Sequence, residues 1–256
     1  MRNVITIMKR ELRAYFASPL AYVILACFLG IVGLFFVTYV LIYSQWSMQV
    51  EMNPMAAGAG GLEEIVIRNL YGTFAVIMIF LAPILSMRLL AEERRLRTAE
   101  LLLTAPVTTS QLVLGKYLGV LAFAAFMLLL TLQYPAYLAL MGGSPELGPL
   151  AAVYLGALLM TGSVLAIGIL SSSLTSNQIV SAVLAFVISL FFWLIGSFGE
   201  LGAGDYSEFL GSLSIVTHYE DFMKGIVDTG SVVYYVTFIA FGLFLTQRVI
   251  DSSRWR

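Results

Sequence analysis

Six long apolar stretches, separated by short polar segments, organise the chain: residues 20–43, 70–87, 117–141, 150–170, 179–198 and 232–247. A helix rises 1.5 Å per residue, so about 20 predominantly apolar residues cross the hydrocarbon core of a bilayer. None of the six stretches contains Asp, Glu, Lys, Arg or His. The pattern predicts an all-α, polytopic membrane protein with six transmembrane helices in a single domain over residues 1–256.

The polar segments carry periodicity of their own. Over 3–16, Val4, Ile5, Met8, Leu12, Tyr15 and Phe16 share one helical face while Lys9, Arg10 and Arg13 share the other. This predicts an amphipathic elbow helix in the headgroup layer, with Ser18-Pro19 opening the first span. Over 91–104 the residues are strong helix formers, with Glu92 and Glu93 ahead of Arg94, Arg95 and Arg97. Leu96, Ala99, Leu102 and Leu103 form an apolar stripe. Pro106 ends that helix, and Thr108 with Gln111 matches a capping box for the next one. A solvated loop would account for the charges but not for the stripe, which predicts a docking surface.

On the opposite side, Asn53-Pro54 and a run of Ala and Gly to Gly61 predict a loop tip. The segment 199–230 is too apolar for a free loop. Thr217 and Glu220 match a second capping box, and Glu220 with Lys224 forms a favourable i,i+4 pair, so short outer helices are expected there.

Composition places most of the chain in lipid: 60% of its residues are hydrophobic and 11% charged, against roughly 25% charged in soluble domains. Charge placement then sets the orientation. Of the 14 Lys and Arg, all but Arg68 and Lys224 fall in the N-terminal segment, the connection from 88 to 116 and the C-terminal tail. The positive-inside rule puts those segments, and both termini, in the cytoplasm. Residues 20–43 are too long for a cleavable signal peptide and are expected to remain as an anchor. Cys27, the only cysteine, follows Leu25-Ala26, which is too bulky for a lipoprotein cleavage box; it is expected to be a buried small apolar residue.

Candidate chemistry is sparse. The spans lack the titratable groups of proton and ion relays. His218 reads as a surface residue, and no His, Cys and carboxylate cluster has metal-ligand spacing, so no metal site is expected. A phosphate-binding loop requires Gly, four residues, then Gly-Lys-Ser/Thr. Around Gly115-Lys116 the chain has Ser110 and Tyr117 instead, so no ATP site is expected in this chain. Thr131, Gln133 and Tyr134, ahead of Pro135, are the notable polar residues within a span, suited to bonding neighbouring helices or to lining a pathway. Pro83 and Pro135 are expected to interrupt their helices. Gly115 with Gly119, and Gly162 with Ala166, permit close helix approach.

Arg88-Leu89-Leu90-Ala91-Glu92-Glu93-Arg94-Arg95, then Thr98-Ala99-Glu100-Leu101-Leu102-Leu103-Thr104-Ala105-Pro106-Val107 and Leu114-Gly115-Lys116-Tyr117-Leu118-Gly119, resemble the type-2, exporter-type permeases of ATP-binding-cassette transporters. The branch containing gliding-motility and nitrous-oxide-reductase-maturation permeases is the most similar, also through Met223-Lys224-Gly225-Ile226-Val227-Asp228, Val233-Tyr234-Tyr235 and Arg254-Trp255. The family often has Gly near Ala99, where this chain departs from it.

The resemblance implies a permease subunit in a bacterial inner membrane, working in export. It also implies a separate ATPase subunit that binds ATP and Mg, and a second permease copy or related permease; nucleic acid has no role. It makes 91–104 a coupling helix, with Leu96, Ala99 and Leu103 entering the ATPase groove and Glu92, Glu93, Arg94 and Arg97 at its rim. A scaffold or mechanical relay driven by a partner ATPase, or a stand-alone channel, are the alternative readings.

Overall fold

The computed structural model describes residues 2–52, 61–96, 108–143, 145–200 and 207–253. Every regular element among them is helical: α1 (Arg2–Ala17), α2 (Pro19–Met52), a π-helical turn (Glu63–Arg68), α3 (Asn69–Ser86), α4 (Arg88–Arg95), α5 (Thr109–Leu130), α6 (Gln133–Leu140), α7 (Leu147–Leu174), α8 (Gln178–Glu200), α9 (Ser207–Ser212), α10 (Ile215–Met223) and α11 (Thr229–Ser253). Six candidate spans emerge among the described residues: Pro19–Met52, Glu64–Arg95, Thr109–Leu140, Leu147–Leu174, Gln178–Ser197 and Thr229–Ser252. At 34 residues, α2 is about 50 Å long, more than the ~30 Å of hydrocarbon. It must therefore tilt or project beyond the membrane.

The spans divide into an inner and an outer set. In the second, third and fourth, 61%, 61% and 72% of the apolar window is buried, against 22%, 28% and 22% in the first, fifth and sixth. The inner set forms the core around Phe74, Met78, Val120, Phe123, Met160 and Val164. The outer set leaves Leu34, Val37, Val183, Phe191 and Phe241 exposed, the side chains that lipid or another subunit would cover. Cys27 lies on this outward surface and is exposed, which corrects the expectation of a buried position.

Local chemistry sets the breaks. Pro83 sits inside α3, which continues to Ser86. The third span does break, into α5 and α6, at Thr131 and Leu132. Pro135 falls in the first turn of α6, where its missing N–H would have no helical partner. Thr108 caps α5 by accepting from the Gln111 N–H, yet the Gln111 side chain does not complete the capping box. It accepts instead from Asn3 Nδ2 at 3.1 Å and so ties α1 to α5.

At the other end of the bundle, α10 starts earlier than its sequence suggests. Ser214, not Thr217, is the cap, because its hydroxyl accepts from the Thr217 N–H. Ile215, Tyr219 and Phe222 face inward, and the Tyr219 hydroxyl donates to the Tyr71 carbonyl at 3.2 Å. Gly156 makes room for Phe222, whose ring a Cβ at that position would overlap. His218 is half-buried rather than free at the surface: its ring stacks on Tyr234 at 4.0 Å and bonds Ser231 and the Ser212 carbonyl.

Candidate functional site

The charged end of the bundle is built on a glycine pair. Gly115 and Gly119 lie one turn apart on α5, and α1 crosses them at backbone distance. A Cβ on Gly115 would stand 2.7 Å from Ile7 Cβ, and one on Gly119 2.7 Å from Glu11 Cβ. Lys116 lies between the two glycines, so its ammonium emerges where α1 and α4 meet α5. It is 2% exposed, and it reaches Glu11 Oε1 at 2.9 Å and Glu93 Oε1 at 2.7 Å. Arg10 completes the cluster from the solvent side, at 3.2 Å from Glu11 and 3.6 Å from Glu93.

A buried ammonium is tolerable only because two carboxylates compensate it. The reverse also holds. Burial raises the Glu11 carboxyl, but Lys116 and then Arg10 outweigh that and hold it below the usual carboxylate range.

Further contacts join the same elements. The Tyr15 hydroxyl donates to the Leu85 carbonyl at 2.6 Å, its ring stacks on Phe123 at 4.9 Å, and the Arg88 guanidinium lies 4.2 Å from the ring centre. Burial pushes the Tyr15 phenol well up, against the opposing pull of Arg88, so it remains a neutral donor. Ser172, near the end of α7, holds the break between α3 and α4. Its hydroxyl donates to the Met87 carbonyl at 2.9 Å and accepts from the Leu90 and Ala91 N–H groups, each at 3.0 Å. Thr109 donates to Asp251 Oδ1 at 2.7 Å, bringing a carboxylate of α11 to the positive N-terminal end of α5. The helix α4 is thus bonded to α1, α5 and α7 together. A displacement of α4 cannot occur without moving or breaking contacts to an inner span.

Against this geometry the candidate residues separate. Glu93 is an internal ion-pair partner rather than a rim residue. Glu92 and Arg94 are half-buried, and Leu96, at the C-terminal end of α4, is 61% exposed. Arg97, Ala99 and Leu103 lie outside the described residues. In the third span, Thr131 is buried, donates to the Leu128 carbonyl and meets the Tyr71 and Tyr154 hydroxyls at 3.2 and 3.0 Å. Tyr134 donates to the Leu29 carbonyl at 3.0 Å. Both residues bond neighbouring helices, while Gln133 is exposed. Among the described residues no group of three or more His, Cys, Asp and Glu could hold a metal ion.

Glu11, Ser172 and Asp251 do not stand out by periodicity or spacing. One signal was available for the first: Glu11 is the only acid in an otherwise basic α1, and Lys116 the only cation in the apolar opening of α5.

No curated protein matches the chain. A family model described as ABC-2 family transporter protein matches residues 47–246, which take in α4, Lys116 and Ser172 and leave α1 outside. With six apolar helices long enough to span a bilayer and most of its length matched, the chain belongs to the ABC-2 transporter family and is a multi-pass membrane permease of an ATP-binding-cassette transporter.

Proposed function

We propose that this permease works in export, receives its energy from a separate ATPase subunit carrying ATP and Mg, and takes up the ATPase stroke through α4 and the residues that follow it. The buried junction of Lys116 with Glu11 and Glu93 supports the part given to α4. It makes α4 a lever fixed to two inner spans and to the amphipathic α1. Leu96, exposed at the end of that lever, is the apolar anchor for the ATPase groove; Ala99 and Leu103, from the same sequence stripe, are its further contacts, and Glu92, Arg94 and Arg97 its polar partners.

The positive-inside rule supports a cytoplasmic position for this end and both termini, and the family resemblance supports a bacterial inner membrane. The exposed apolar faces of the first, fifth and sixth spans suit lipid and a second permease, identical or related. Within the family, the motifs around Arg88–Arg95 and Met223–Asp228 favour the branch that serves gliding motility and nitrous-oxide-reductase maturation.

The test separates docking from transmission. Burying a leucine contributes about 1.5–3 kcal/mol, or roughly 10- to 150-fold in affinity. Leu96→Asp should therefore lose co-purification with the ATPase, while Arg94→Ala keeps most of it, at matched expression. Full ATPase binding and hydrolysis by Leu96→Asp would remove α4 and its continuation from the coupling role.

A further inference from the structure

The two basic residues outside the cationic end of the bundle, Arg68 and Lys224, are 156 positions apart in sequence, yet both line one cavity of about 240 Å³. Three elements build it. Arg68 ends the π-helical turn, whose widened backbone is held by Asn69 Nδ2 donating to the Ile65 carbonyl at 2.8 Å. The start of α7 contributes Pro149 and Leu150 and the positive end of a 28-residue helix.

Lys224 is fixed by the turn that closes α10. Gly225 has φ +78°, its N–H bonds the Phe222 carbonyl at 3.0 Å, and the Ile226 N–H bonds the Asp221 carbonyl at 2.9 Å. A Cβ on Gly225 would stand 2.7 Å from Pro149 Cβ. Glycine therefore serves both the left-handed backbone and the close approach that holds Lys224 beside α7.

Among the described residues neither cation is saturated. Arg68 stands 3.5 Å from Glu64, and Lys224 stands 3.9 Å from Glu220 and 4.0 Å from Asp221. These separations exceed the 2.7–3.2 Å of ordinary N–H···O bonds. The carboxylates orient the two cations but leave donors unspent. The lining itself carries Arg68 and Lys224 against Glu64, with Glu220 and Asp221 beside Lys224 but outside the lining. Leu150 and Met223 supply an apolar wall. The cavity lies where the candidate spans Glu64–Arg95 and Leu147–Leu174 begin.

We infer that this cavity binds a phosphate-class oxyanion between Arg68 and Lys224, with the apolar wall holding the carbon portion of the same molecule. The source is either a phospholipid headgroup or a soluble phosphate compound. The site is independent of the coupling assignment and of transport direction, so it can fail without that reading failing.

The experiment uses the full chain in nanodiscs. Phosphatidylcholine discs are titrated calorimetrically with inorganic phosphate. Discs containing phosphatidylglycerol are probed by the protein-associated fraction of spin-labelled phosphatidylglycerol. Whichever probe binds, Arg68→Gln/Lys224→Gln should weaken it by about tenfold or more, the scale of losing charge-assisted hydrogen bonds. Leu150→Trp, which fills the cavity and keeps both charges, should weaken it as well, whereas Lys9→Gln at the opposite end should not. A phosphate response assigns a soluble ligand, and phosphatidylglycerol enrichment assigns a lipid. Binding of neither probe by the native chain overturns the site, as does binding that survives the double substitution or Leu150→Trp. Should the double variant fail to fold, Lys224→Gln, at an exposed position, carries the same test.

Discussion

Replacing Lys116 by methionine removes one charge and leaves a chain of similar length in a site that is 2% exposed. Glu11 and Glu93, whose side chains are 14% and 17% exposed, would then face each other without the ammonium between them, the outlying Arg10 staying beside both. Breaking a buried ion pair from one side costs about 3–5 kcal/mol, mostly through the uncompensated charge left behind. Because Arg10 remains and both carboxylates keep some solvent, the lower end, about 3 kcal/mol, is the expected loss. If the loss arises from stranded carboxylates rather than lost packing, neutralising them must restore it. The set is therefore Lys116→Met, Glu11→Gln/Glu93→Gln and the triple variant, compared by denaturant unfolding in one detergent as a mutant cycle. The triple variant should be more stable than Lys116→Met alone. A Lys116→Met variant within about 0.5 kcal/mol of the native chain, a change typical of surface sites, would refute the reasoning. So would a triple variant no better than the single one.

The same cluster sets a pH dependence. The Glu11 carboxyl is depressed in the folded protein, so its contribution is complete above the unfolded value of 4.5 and is lost as pH falls through the lower folded value. Glu11→Gln should flatten the acid limb of the stability profile in that window, and an unchanged acid limb would count against the pairing. Gly119→Val drives a Cβ into Glu11 and should cost about 1–3 kcal/mol, while Gly30→Ala, with nothing within 4 Å, should cost nothing; the unfolding midpoints decide. In a Cys27→Ala background, Ser212→Cys should react with an impermeant maleimide in intact cells and Arg95→Cys only after permeabilisation. The reverse pattern would invert the topology.

The match between sequence and structure is best where the physics is local or set by lipid. A continuous apolar run long enough to cross hydrocarbon can do little else, so 20–43 and 150–170 mark their helices directly, with the ends of Pro19–Met52 and Leu147–Leu174 extending beyond them. The caps follow from side chains acting on backbone three residues away, which is why Thr108 is legible. It is also why Ser214, competing with an equally plausible Thr217, is not. Proline chemistry marks the break ahead of Pro135, although Pro83 leaves α3 continuous to Ser86.

Sequence by itself determined the helical class and the number of candidate spans; its basic residues supply the orientation proposed for them. Which helices form the core was left to the tertiary structure, because all six runs are apolar and hydropathy does not distinguish lipid from protein as the surrounding medium. The tertiary structure also decided that Glu93 faces inward. Its partners Lys116 and Arg10 are 23 and 83 residues away, and no periodicity within one helix encodes a charge balance between three. Arg68 and Lys224 met in one cavity for the same reason: a π-turn, a proline and a glycine turn from separate segments had to pack before the two charges could share a site.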